Sequence, residues 1–135
     1  MKLTEEQITK AVDWWKTTLA SPKFDNLGDG PRDKANEMAA VMATMSNVND
    51  PMTDEVLENF GVALADRIRK EAANTSGEIL VSVDYGPNAI LSDAAEAVEN
   101  FPTGMTTFPW KTIMWLREDG SVSVSYGYGA PTQTL

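Results

Sequence analysis

Carboxylates are the side chains of this sequence best placed to do chemistry. Asp93, Glu96 and Glu99 recur at spacings of three, which sets them along one stripe of a helix, and Glu78 and Asp84 bracket a run of alternating apolar residues. Paired carboxylates serve general acid–base catalysis where an apolar cleft drives their pKa values apart, and clustered oxygens hold Mg²⁺ or Ca²⁺. The alanines beside the Asp93–Glu99 triplet make no deep cleft, so the stripe reads as a charged surface suited to a basic groove on another protein. The chain has no histidine and no cysteine. Without imidazole or thiolate there is no Ser-His-Asp triad, no Cys-His pair and no ordinary zinc site. Carboxylate, lysine or tyrosine chemistry and oxygen-liganded metals remain, so a carboxylate-based or Mg²⁺-dependent enzyme stays open as an alternative.

Other short patterns resolve into turns. The stretch Asp25-Asn26-Leu27-Gly28-Asp29-Gly30 has the composition of a calcium loop, but an EF-hand needs an oxygen ligand third and a glutamate twelfth. Leu27 and Asn36 stand there instead. In Tyr126-Gly127-Tyr128-Gly129 the glycines follow a strand pattern with no helix opening behind them, so the context of a phosphate-binding loop is missing. Neither a cofactor nor a metal is expected. The aromatic residues Trp15, Trp115 and Tyr85 fall on faces that the periodicity buries, whereas Trp14 lies about 100° around its helix from Trp15, at the edge of the apolar face or outside it. Residues 120–135 hold no charged side chain. Their mixture of Tyr, Ser and Gly suits an adaptable contact surface as well as it suits a buried central strand, which keeps Tyr126 and Tyr128, with Trp14, as candidate anchors for a partner.

Charge narrows the partner. The 11 basic and 20 acidic residues give a net charge of −9, and the excess is concentrated in the middle of the chain. Between Lys70 and Lys111 no basic residue occurs, while Glu71, Glu78, Asp84, Asp93, Glu96 and Glu99 all do. Nucleic-acid binding draws on Lys and Arg to displace counterions, so direct DNA or RNA binding is not expected, and the acidic stretch points instead to a protein with a basic surface. No run approaches the roughly 18 apolar residues of a membrane span. The opening Met1-Lys2-Leu3-Thr4-Glu5-Glu6 leads into a polar helical pattern without the apolar run of a signal peptide, and the lack of cysteine agrees with a reducing compartment, so a cytoplasmic location is expected.

The elements that position these residues follow from periodicity. At 135 residues one domain is expected, of α+β class, with N-terminal helices packed on a small C-terminal antiparallel sheet. Thr4-Glu5-Glu6-Gln7 carries the signature of a capping box, and Ile8, Val12, Trp15 and Leu19 then form one apolar face. A second helix is predicted from Pro31 to about Met45. A third runs from Thr53 to about Ala73 with Leu57, Phe60, Leu64 and Ile68 inward, acids in its first turns and Arg67, Arg69 and Lys70 in its last. The period then shifts to two over Ile79, Val81, Val83 and Tyr85, which predicts a strand. A short fourth helix is expected after a Ser92 cap, with Ala94, Val98 and Phe101 inward. Lys111–Arg117 and Ser121–Tyr128 read as a hairpin turning at Asp119-Gly120.

Taken together, Phe108-Pro109-Trp110-Lys111-Thr112, Met114-Trp115 and Val124-Ser125-Tyr126-Gly127-Tyr128-Gly129-Ala130-Pro131, with the Trp14-Trp15 helix, resemble small accessory proteins of phages and prophages. In size, acidity and lack of catalytic residues the chain is similar to anti-CRISPR and related anti-defence inhibitors. That resemblance implies a stoichiometric inhibitor occupying a nucleic-acid-binding or assembly surface of a bacterial defence effector. An immunity protein or antitoxin facing a basic nuclease would present the same acidic surface.

Overall fold

A computed structural model describes residues 1–20, 52–84, 86–102, 107–109, 111–127 and 130–135. The predicted helix at 31–45, the loop at 25–30, Tyr85, Trp110 and Tyr128 lie outside them. The described elements are α1 (Glu5–Leu19), α2 (Asp54–Asn74), β1 (Glu78–Val83), α3 (Ala89–Glu96), β2 (Thr112–Arg117), β3 (Val122–Tyr126) and β4 (Thr132–Thr134). Helices come first and strands last, an α+β arrangement, and among the described residues every strand follows Gly77. No helix of the described residues is long and apolar enough to cross a membrane.

Each helix starts where a short polar side chain satisfies an orphan backbone N–H. Thr4 Oγ1 accepts from Gln7 N at 3.1 Å and Gln7 Oε1 accepts from Thr4 N at 2.9 Å, the predicted capping box. Thr53 Oγ1 accepts from Val56 N at 3.2 Å. For α3 the cap is Asn88, not Ser92: Asn88 Oδ1 accepts from Leu91 N at 3.3 Å, so the helix starts four residues earlier than its serine suggests. It also ends at Glu96, leaving Val98 and Phe101 buried on the chain beyond it. At the other end of α2, the helix continues to Asn74, which leaves its last turn without a basic residue. The Met1 ammonium serves there instead, donating to Ala72 O and Thr75 O at 2.7 Å each, and a cation at a helix C-terminus meets the negative end of the macrodipole.

The sheet is antiparallel in the order β1-β2-β3-β4. Opposite residues share a face, so Val81↔Met114↔Val124 and Ile79↔Leu116↔Val122 are inward-facing rows. These side chains join Trp15, Phe60, Leu64, Ile68 and Leu91 in one core. The α1–α2 crossing is close because Gly61 has no side chain: a Cβ there would meet Lys16 Cδ at 2.8 Å and Val12 Cγ1 at 3.2 Å. The hairpin between β2 and β3 turns through Gly120 alone, at φ 94°, with Gly120 N donating to Arg117 O at 3.2 Å. Asp119 keeps negative φ and its Oδ1 accepts from Ser121 N at 2.9 Å, which makes a three-residue connection with glycine in the left-handed position. Gln7 pins this end of the hairpin to α1, donating through Nε2 to Arg117 O at 2.7 Å and Ser121 O at 3.2 Å.

Candidate protein-binding surface

All described helices that contact the sheet lie on the side of Val81, Met114 and Val124. The opposite face carries the rows Leu80↔Trp115↔Ser123↔Thr134 and Ser82↔Ile113↔Ser125↔Thr132. Leu80 is 44% and Ile113 38% exposed, and Trp115 is half-buried beside them. Trp115 was expected in the core, but β2 is apolar on both parities. Register against Val122 and Val124 turns Thr112, Met114 and Leu116 inward, and this puts Ile113, Trp115 and Arg117 outside.

Ion pairs frame the apolar centre at both ends of the strands. At one end Arg117 Nε donates to Glu78 Oε2 at 3.1 Å and Nη1 to Ser123 Oγ at 3.1 Å, while its guanidinium stands 5.6 Å from the Trp115 ring centroid, within cation–π range. At the other end Lys111 Nζ bonds Asp84 Oδ1, and Lys111 N donates to Asp84 O at 3.0 Å. Lys111 holds φ at 57°, a left-handed conformation uncommon for a side chain with a Cβ. A shallow hollow of about 390 Å³ lies between these parts, lined by Leu80, Ser82, Asp84, Lys111, Ile113 and Ser125.

Cations drawn from elsewhere in the chain neutralise much of the acidic stretch between Glu71 and Glu99. Arg67 binds Glu71 at 2.8 Å and Asp93 at 2.9 Å, and those two hydrogen bonds, Glu71 first, raise its pKa above the usual guanidinium value. With Glu78 held by Arg117 and Asp84 by Lys111, three of the five candidate acids, Glu78, Asp84 and Asp93, sit in pairs on different parts of the surface. Glu96 and Glu99 are exposed and make no ion pair among the described residues. Of the described basic side chains, all but Lys2 and Lys70 are in ion pairs. What the surface presents in excess is therefore carboxylate.

A cleft of about 740 Å³ separates α2 from α3 and is lined by Val62, Asp66, Arg67, Lys70, Asp93 and Glu99 among others. Its Arg67 is committed to Glu71 and Asp93, and no cluster of three or more metal-ligating side chains occurs among the described residues. Trp14 is half-buried, edge-on to Trp15 at 4.9 Å and to Tyr126 at 5.5 Å, which brings two of the candidate anchors together. The uncharged stretch 120–135 divides: β3 is an interior strand, and β4 is an exposed edge strand that the sequence reading did not find. The signal for the open face was present in Leu80, Ile113 and Trp115, apolar residues of the parity opposite to the buried one. Compared with family models, curated proteins and solved structures, the chain matches none.

Proposed function

We propose that this chain is a non-enzymatic binding protein that docks on a basic surface of a protein partner, and that the open sheet face around Leu80, Ile113 and Trp115 makes the contact. The observation that carries this reading is that face: large apolar side chains on the neighbouring strands β1 and β2, Leu80 and Ile113 exposed and Trp115 half-buried, rimmed by hydroxyls and ion pairs, the pattern of an interface centre with a polar border. Net charge supplies the second part. At −9 the molecule attracts basic surfaces over a Debye length, whereas the apolar face governs how long a complex lasts. The partner class that fits both, and that the resemblance to anti-defence inhibitors implies, is a bacterial nucleic-acid-binding effector whose basic groove is blocked.

The test is capture from bacterial lysates containing defence effectors and nucleases, followed by surface-plasmon kinetics of the recovered complex at two salt concentrations. Ile113→Glu is expected to speed dissociation. Glu96→Gln with Glu99→Gln is expected to slow association and to flatten its salt dependence, and Asp93 is left intact because its loss would strip Arg67 of one of its two carboxylates. Capture of no partner, or a complex whose two rates are unchanged by both variants, would remove the basis of this reading.

A further inference from the structure

The two edges of the sheet are treated differently. Along β1, Asn88 turns back on the strand: its backbone N donates to Ser82 O at 2.8 Å and its Nδ2 to Leu80 O at 2.9 Å, so two outward carbonyls at the middle of that edge are occupied. Along β4 there is no such guard among the described residues. Leu135 N donates to Val122 O at 2.9 Å, which fixes the alternation. The backbone groups of Gln133 and Leu135 face β3, and the N–H and C=O of Thr132 and Thr134 point away from the sheet. Thr132, Gln133 and Thr134 are all exposed. Proteins ordinarily blunt such an edge with charge, proline or cover, yet residues 120–135 carry no charged side chain.

Beside this edge, on the core side of the sheet, runs α1. Lys10 Nζ reaches Leu135 O at 3.5 Å, so the stripe of α1 that holds Lys10 borders β4. Glu6, Asp13 and Trp14 lie on the same side of the helix by their spacing from Lys10. Lys10 is paired with Glu6 at 3.3 Å, Asp13 is exposed with no ion pair among the described residues, and Trp14 is half-buried next to it. A strand added to β4 would send alternate side chains toward this stripe. A lysine or arginine there meets the Asp13 carboxylate and the Trp14 indole together, a charge pair with a cation–π contact.

We propose that the β4 edge accepts an extended basic segment of the partner as a fifth strand, bonded through Thr132 and Thr134 and selected by basic residues that face Asp13 and Trp14. This rests on the reading of the chain as a protein-binding module and adds a second contact, contiguous with the open face through Thr132 and Thr134. A second copy of the chain is the disfavoured occupant. It would bring another net charge of −9 and a second Asp13 stripe to the same seam.

The experiment uses the full chain and a synthetic peptide of alternating Lys and Val, with a control of the same sequence N-methylated at every backbone nitrogen, so that neither of its edges can donate. Amide hydrogen exchange read by NMR is expected to slow at Thr132 and Thr134 by about tenfold or more with the peptide and not with the control. Thr134→Pro removes an outward N–H without touching the bonds to β3 and is expected to abolish the protection. Thr132→Lys, which adds a repelling charge and keeps the backbone, is the second variant should the proline perturb folding. Asp13→Asn is expected to weaken peptide binding several-fold. The peptide reads the edge by itself, whereas the captured partner reads the open face, so failure of the one is distinguishable from failure of the other. Unchanged exchange at Thr132 and Thr134, equal binding of the N-methylated control, or protection that appears without peptide and grows with protein concentration would each overturn the proposal, the last by assigning the edge to a second copy.

Discussion

Replacing Trp15 tests the core with the most at stake. The residue is fully buried, Trp14 packs edge-on against it at 4.9 Å, and its Nε1 finds no hydrogen-bond partner among the described residues. Two opposing terms therefore meet at one side chain. Truncation to alanine forfeits the transfer energy of the indole and leaves a cavity, a loss of about 3–5 kcal/mol. Phenylalanine keeps most of the ring. It gives up roughly 40 Å³ of volume, about 1 kcal/mol at ~24 cal/mol per Å³, and about 1 kcal/mol more in transferred apolar surface. Against that, it removes a buried N–H whose unmet hydrogen bond costs about 1–3 kcal/mol. Trp15→Phe is expected to stay within about 1 kcal/mol of wild type while Trp15→Ala falls by several times that amount. Urea unfolding followed by far-UV circular dichroism measures both without relying on the fluorophore being changed, and an unchanged m-value shows that the same transition is compared. A Trp15→Phe loss as large as that of Trp15→Ala would refute the reasoning, because it would mean that the indole N–H is bonded in the folded protein.

Gln7→Ala is expected to cost about 1–3 kcal/mol, because it strips the buried donor from Arg117 O and Ser121 O as well as half of the capping box; urea midpoints measure it, and a loss no larger than that of an exposed cap would show that the hairpin is held otherwise. Acid should weaken the fold through two depressed carboxyls. Arg69 holds Glu5 below its ordinary value of 4.5, first by its hydrogen bond and then by its charge, and the Ser121 hydroxyl and backbone N–H hold Asp119 below its ordinary 3.8. A pKa lowered on folding contributes stability that is present above the unfolded value and lost as pH falls through the folded one. Thermal midpoints should therefore decline as pH drops below these values, and the acid limb should be shallower in Arg69→Gln; identical limbs in wild type and variant would remove Glu5 from the account.

Helices were legible in the sequence because their signals are redundant. In α1 the capping box, the acidic first turn and the Ile8-Val12-Trp15-Leu19 spacing all agree, and α2 repeats the agreement through Thr53 and the Leu57-to-Ile68 face. Misreadings came where one local signal had a competitor. Asn88 and Ser92 are both good caps, and Asn88 wins because it also closes the β1 edge through Leu80 O. In β2 the sequence Thr-Ile-Met-Trp-Leu-Arg is apolar on both parities, and only pairing with the clean alternation of β1 and β3 decides which set is buried. β4 has no apolar pattern at all, since it is an edge strand defined by its partner. The candidate site was harder to read for a related reason.

Charge is read along the chain, but neutralisation happens across it. The stretch from Glu71 to Glu99 lacks a single basic residue, yet Arg67 from α2 and Lys111 and Arg117 from the two ends of β2 reach into it and pair with Glu71, Asp93, Asp84 and Glu78. An exposed pair of this kind adds little stability, but it changes what a partner meets: a paired carboxylate must give up its cation before it can take another. Long-range attraction depends on the total charge and is indifferent to pairing, whereas short-range contact falls to the groups that have no partner to lose. Among the described residues these include Asp13, Asp54, Glu55, Glu96, Glu99 and Glu118, together with the apolar face at Leu80 and Ile113 and the open backbone of β4. Substitutions at Glu78 or Asp84 should consequently leave stability nearly unchanged and free Arg117 or Lys111 at the sheet ends, so that any change in binding reports on the released cation together with the lost carboxylate.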